Sequence, residues 1–482
     1  MTKGIKYTLI ALVVAAAAGA IAYFAFGGSA DAYLSVIPKD AQGIAKLDVR
    51  ALIKKSKMTD EQQQEVLKRM SDQIGEETDM SDPGIDLSRP LYGFVSQSGY
   101  FAVVGKVSDE DALVKACSPA NGKDQPIDVQ KQRGYSWMVL RDNYLVAFNA
   151  DKALFMGPAV GAAQDQLRNE MYRYLEQDKS ESAIGTEFYD YVKGSDAPGA
   201  AVLTMSLVPE AARKAVSQYI PASVTDDVAL ALTADLGEHE MSLASELITH
   251  NDEAKAKIKE FEQLFRTIDA DLVDASYEGA IAWFCMNVEG KETLKLLRAN
   301  PTLRLILMGL NMVIDFDQMI NAIDGDVAIE AALPKDTRTM KDWGVRLTAQ
   351  LDNKDFLKNA DYWVKSNRLN SVRALSATDF SMDFSGQHLL FGVDDDVLYF
   401  TSRDDMRQAK GNDYITSHKR DIKGNRIFFT LDLAKAANAD KSVAELASLF
   451  ERISLGMKVL GEFKFEAEGT PDKNLLYEIL KK

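Results

Sequence analysis

The stretch Val345-Arg346-Leu347-Thr348-Ala349-Gln350-Leu351 alternates apolar and polar side chains, and Phe463-Lys464-Phe465-Glu466-Ala467 does the same. A period of two predicts strands with one face buried and one wet, the habit of antiparallel sheets; the continuous apolar runs of a doubly wound parallel sheet are rare in this chain. Between such strands lie segments with helical spacing and caps. Thr59 with Gln62 three residues on forms a capping box, and Asn300 with Pro301 sets an N-cap before a proline at the first helical position. The class predicted is α+β, a curved and mainly antiparallel sheet with helices packed on one face.

The elements recur in the same order twice. Gly43-Ile44-Ala45-Lys46-Leu47-Asp48-Val49 leads into a helix at 50–55, and Ala282-Trp283-Phe284-Cys285-Met286-Asn287-Val288 into a helix at 291–298. Ile85-Asp86 then matches Ile323-Asp324, the strand-to-helix unit 99–113 matches 344–357, the hairpin 135–148 matches 388–400, and 200–216 matches 426–437. Each copy closes on a hairpin, 228–248 and 463–480, with Glu246 and Glu478 in matching places. About 450 residues exceed one ordinary core. The organisation expected is therefore two tandem copies, 33–251 and 277–482, joined by a bridging helix and linker over 252–276.

Ahead of them, residues 1–32 read as a cytoplasmic stub and membrane anchor. Lys3 and Lys6 precede an uncharged, mostly apolar run over 8–26, about 28 Å of helix and close to the hydrocarbon thickness of a bilayer. Ala30-Asp31-Ala32 has the small-x-small pattern of a cleavage site, so a secretory signal peptide is the alternative, although the apolar core of such peptides is usually shorter. In both cases the lysines keep the N-terminus cytoplasmic and the remainder is exported.

Net charge is −16; the first 32 residues are +1, so the exported part carries −17. Such a surface repels phosphate backbones and anionic headgroups, which argues against nucleic-acid binding and against peripheral membrane adsorption beyond the anchor. Two cysteines, Cys117 and Cys285, allow one disulfide at most and exclude a cysteine-rich zinc site. His239, His250, His388 and His418 include no H-E-x-x-H pair, and no nucleophile elbow, phosphate loop or dinucleotide turn is present. The acidic triplets Asp324-Gly325-Asp326 and Asp394-Asp395-Asp396 lack EF-hand spacing and fall where turns are predicted. Trp137, Trp283, Trp343 and Trp363 read as packing residues rather than a sugar platform. The segment 303–314 is apolar almost all round and too short to span a bilayer, so it is expected to be a helix buried between layers, with a partner-binding element as the alternative. No catalytic, cofactor-binding or metal residue is assigned.

Tyr33-Leu34-Ser35-Val36-Ile37-Pro38-Lys39-Asp40-Ala41, then Leu47-Asp48-Val49 and Ile85-Asp86-Leu87-Ser88-Arg89-Pro90-Leu91, resemble a Bacteroidota family of envelope proteins classified only as a domain of unknown function. Members commonly look like lipoproteins; this chain departs from them in having an apolar anchor and no lipidation cysteine. The resemblance implies a Gram-negative envelope setting, inner membrane with a periplasmic domain, and the apolar run over 8–26 adds the expectation of a single pass. The function expected is a non-enzymatic, membrane-tethered binding or scaffold protein whose partner is an envelope protein, glycan or lipid. Two alternatives stand beside it: an envelope-polymer hydrolase or transferase using carboxylates, with Glu246 and Glu478 the first to inspect, and a carrier of an apolar ligand.

Overall fold

The computed structural model describes residues 32–481 apart from 75–82, 118–127, 141–142, 211–212, 215–219, 335–342, 367–371, 385–386, 408–410 and 440–442. The expected anchor at 8–26 lies outside the described residues, among which no helix is long and apolar enough to cross a membrane. The fold is α+β, antiparallel sheet with helices, in two compact units: Met1–Asn251 with Gly469–Lys482, and Asp252–Glu468.

The first unit contains strands β1 (Gly43–Leu47), β2 (Leu91–Val95), β3 (Phe101–Gly105), β4 (Gln130–Gln132), β5 (Tyr135–Leu140), β6 (Tyr144–Phe148), β7 (Ala153–Gly157), β8 (Gly199–Thr204), β9 (Val228–Leu236) and β10 (Glu240–Thr249). Every ladder is antiparallel, and the spatial order is β4-β5-β6-β7-β3-β2-β1-β8-β9-β10. Strand β6 sends Leu145 and Ala147 into a cluster with Phe94, Leu167 and Met171, and Val146 and Phe148 into a second with Leu113 and Met138. Helices Ala163–Glu176 and Glu187–Gly194 supply the first cluster and Glu110–Cys117 the second. Helices on one face only is therefore corrected here, because β6 is apolar at every position and needs cover on both sides. Thr59 and Gln62 bond reciprocally, at 3.0 and 3.3 Å, as their spacing predicts.

The second unit contains β11 (Phe265–Arg266), β12 (Ala280–Glu289), β13 (Ile323–Ala332), β14 (Gly344–Leu351), β15 (Val372–Ala374), β16 (Asp379–Phe384), β17 (Gln387–Asp394), β18 (Val397–Thr401), β19 (Ile427–Asp432) and β20 (Phe450–Val459). Its antiparallel order is β15-β16-β17-β18-β14-β13-β12-β19-β20, with β11 on the end of β12. Strand β12 also serves two faces: Trp283 and Cys285 pack with Ile268, Ile415 and Phe428, while Val288 joins Met319, Phe356, Trp363 and Phe391.

Alternation found strand β14 and its buried apolar face, where Ala349 and Leu351 join the core, but the polar face is not wet. Arg346 and Thr348 are buried and Val345 is exposed. Arg346 stands opposite Glu330 of β13 and pairs with it at 2.9 Å. The segment that covers this face completes the pair: Arg346 Nη1 donates to the Ala275 carbonyl at 2.7 Å, and Tyr277 N–H donates to Glu330 at 2.8 Å.

Two further expectations are corrected. Asp324-Gly325-Asp326 is not a turn; it opens β13, where the register slips between Ile323 and Val327 and Gly325 takes φ +145°. Asp395 and Asp396 do turn between β17 and β18, with Asp395 at φ +44°. The closing segment 463–480 is not a hairpin: strand Glu462–Gly469 is followed by helix Leu475–Leu480. Asn474 caps that helix by accepting from Tyr477 N–H at 3.1 Å and donates to the Ser56 carbonyl, while Leu476 packs with Met58 and Val66. Glu478 thus rides on a helix and Glu246 on β10, so they are not equivalent positions.

Candidate functional site

Helix Pro301–Asn311 starts where the sequence predicts. The Asn300 side chain accepts from the N–H groups of Thr302 and Leu303 at 3.0 and 3.2 Å. At the other end Asn311 donates to the Leu307 carbonyl at 2.8 Å and accepts from Asp317 N–H at 3.0 Å. One side only is packed: Leu307 meets Leu294 and Ile320 in a small cluster. The supporting helix Gly290–Ala299 sits so close to Phe316–Asn321 that a Cβ at Gly290 would lie 1.8 Å from the Ile320 carbonyl oxygen.

The expected burial of 303–314 is overturned. Leu303 is 38% exposed, Leu305 66%, Ile306 50%, Met308 59% and Met312 87%, leaving Leu307 and Ile314 as its buried members. No acidic residue occurs from 293 to 314, while Lys295, Arg298 and Arg304 do. Lys295 pairs with Glu292 and Arg298 with Asp317. Among the described residues Arg304 forms no ion pair. On the helix itself Arg304 is the single charge, so this surface is mainly apolar.

The second unit also holds an open polar cleft of about 390 Å³, lined by Arg266, Asp269, Asn287, Asp324, Gln350 and Asp396 among others. It brings the two acidic triplets together. Arg266 pairs with Asp324 at 2.7 Å and Lys354 with Asp396 at 3.0 Å. Beside it the buried Asp326 accepts from the N–H groups of Asp269 and Ala270 and from Asn287 Nδ2, at 3.1, 2.8 and 2.8 Å. Burial pushes the Asp326 carboxyl above its usual range against those three donors. Among the described residues no three histidine, cysteine or acidic side chains are placed to hold a metal ion.

The remaining candidates are scattered. His250 faces Glu187 at 2.9 Å, His388 faces Asp383 at 2.9 Å, His418 faces Glu468 at 3.3 Å and His239 faces Glu238 at 3.6 Å. Trp137, Trp283 and Trp363 are buried. Trp343 is half-buried. Both cysteines are free; burial pushes the Cys117 thiol up to about 12 and the Cys285 thiol well above its ordinary value. Glu246 bonds the Tyr191 hydroxyl and Glu478 pairs with Lys481, so each carboxylate has a structural partner.

No curated protein matches this chain. The solved structure of crystal form III of TP0453 is 14% identical, with 49% of this chain and 89% of that one covered and a TM-score of 0.24, a likeness too loose to inform the fold. The model of one family, by contrast, matches residues 33–439. By that match the chain belongs to the family described as Domain of unknown function (DUF4836).

Proposed function

We propose that this chain is a non-enzymatic protein of the cell envelope, held to the inner membrane by its run over 8–26 with its bulk in the periplasm, and that helix Pro301–Asn311 seats in the lipid interface. The observation that carries this reading is the exposure of Leu303, Leu305, Ile306, Met308 and Met312 on one short helix. Interfacial helices present such apolar side chains together with basic ones, and Arg304 is the single charge on this helix. A second copy of the chain suits the patch less well. Eleven residues make a strip about 16 Å long and about 10 Å wide, far below the ~800 Å² per partner of a standard stable interface.

The test uses the full chain in vesicles containing phosphatidylglycerol, with a photoreactive side chain at Met312. Transfer of label to lipid is expected. Label on a second copy, or quenched by water alone, would count against it. The anchor is separately testable: retained, it makes the chain resist salt and carbonate extraction, whereas a mature N-terminus at Ala32 or Tyr33 shows cleavage.

The proposal includes two tandem copies. In its support, β15-β16-β17-β18-β14-β13-β12-β19-β20 repeats β4-β5-β6-β7-β3-β2-β1-β8-β9 strand for strand. That equivalence aligns β5–β6 with β16–β17, one strand earlier than the matching of 135–148 with 388–400.

A further inference from the structure

In the first unit, where helix Ala163–Glu176 lies against β5, several donors stand together with nothing to donate to. Trp137 of β5 and Tyr172 of the helix are each 4% exposed, with ring centroids 4.6 Å apart. Arg168, one helical turn before Tyr172, places its guanidinium carbon 5.8 Å from the Trp137 ring centroid. Arg133, at the β4–β5 turn with φ +53°, places its own 4.5 Å from the Tyr172 ring centroid. Trp137 Nε1, the Tyr172 hydroxyl and Arg168 Nε are all buried without a hydrogen-bond partner. Among the described residues neither guanidinium forms an ion pair, although acidic residues outnumber basic ones 72 to 56.

Buried donors ordinarily find acceptors, because leaving one unpaired forfeits its hydration. Weak contacts to neighbouring rings do not stand in for a full acceptor at any of the three. Both guanidiniums act on the Tyr172 hydroxyl, and Glu176 is the carboxylate within electrostatic reach. Burial is the larger influence and holds that hydroxyl above its usual range, protonated and ready to donate. Indole, phenol and two guanidiniums together offer several N–H and O–H donors and two positive charges. A tetrahedral oxyanion, with three or more acceptor oxygens and up to two negative charges, matches them better than a planar carboxylate.

We propose that Arg133, Trp137, Arg168 and Tyr172 bind a phosphate group. Arg133 is exposed, on a turn, and lies across the Tyr172 ring, so it swings from ring to phosphate and opens the buried donors beneath it. The site is in the first unit and owes nothing to the exposed helix of the second. Its phosphate comes either from a soluble phosphate ester or from a phosphomonoester lipid headgroup.

The test is calorimetric titration of the full chain in detergent with inorganic phosphate, chloride being adjusted to hold ionic strength constant. Saturable binding is expected, weakened by about tenfold or more in Arg168→Gln and in Arg133→Gln and unchanged in Arg373→Gln, with all three variants melting as the parent does. Tyr172→Phe removes the hydroxyl with little change of shape and is expected to weaken binding as well. Competition by vesicles containing phosphatidic acid, and not by phosphatidylcholine vesicles, assigns the phosphate to lipid; its absence assigns it to a soluble ester. Heat no different from that of chloride, or binding equal in the parent and both arginine variants, overturns the proposal.

Discussion

Arg346 and Glu330 show what one residue's setting does to the reading of a strand. A charge at an alternating position is ordinarily wet, and here it is buried because the segment over 275–277 brings a carbonyl and an N–H to the pair. Removing one partner leaves the other charged and unpaired in a dry place. Arg346→Met or Glu330→Gln is expected to cost about 3–5 kcal/mol in denaturant unfolding, and the Arg346→Met, Glu330→Leu double variant to recover much of that loss. A double variant no more stable than either single one would show that the segment over 275–277, not the charge, is what fails. The sequence made β14 legible because a period of two is local; the covering segment lies some 70 residues away and leaves no mark on the strand itself.

At the scale of elements, caps were the most readable signals. Thr59, Asn300 and Asn474 each accept from the first turn of the helix that follows. The first two are legible in the sequence, while Asn474 falls within the segment 463–480 predicted to be a hairpin. Asn474→Ala is expected to cost about 1 kcal/mol for the cap, plus the loss of its bond to Ser56, measured as a lowered unfolding midpoint. Helix Pro301–Asn311 failed differently. Its all-round apolarity predicted burial, but only Leu307 and its neighbours had a surface to meet. Leu307→Ala is therefore expected to lower stability by about 2–5 kcal/mol, whereas Leu305→Ala on the open face should change it by under about 0.5 kcal/mol. Equal losses at both positions would mean that the open face is covered in the folded protein. Apolar periodicity records which side chains avoid water and not whether protein or lipid takes them in. The donor cluster at Arg133, Trp137, Arg168 and Tyr172 has no signature to read, since its residues come from a turn, a strand and a helix.

For the whole molecule, the proposed function joins an acidic chain to a bilayer at its N-terminal run and again at one apolar helix. The raised thiol pKa values of the buried Cys285 and the half-buried Cys117 permit a clean measurement. Cys117 and Cys285 are poorly reactive, so Leu305→Cys in the full chain takes up an environment-sensitive dye selectively. With the chain in vesicles, the account predicts blue-shifted emission at position 305, quenched by lipids brominated on their acyl chains, and neither effect for the same dye at Lys358→Cys. Water-like emission at 305 that brominated lipid leaves unchanged would contradict it.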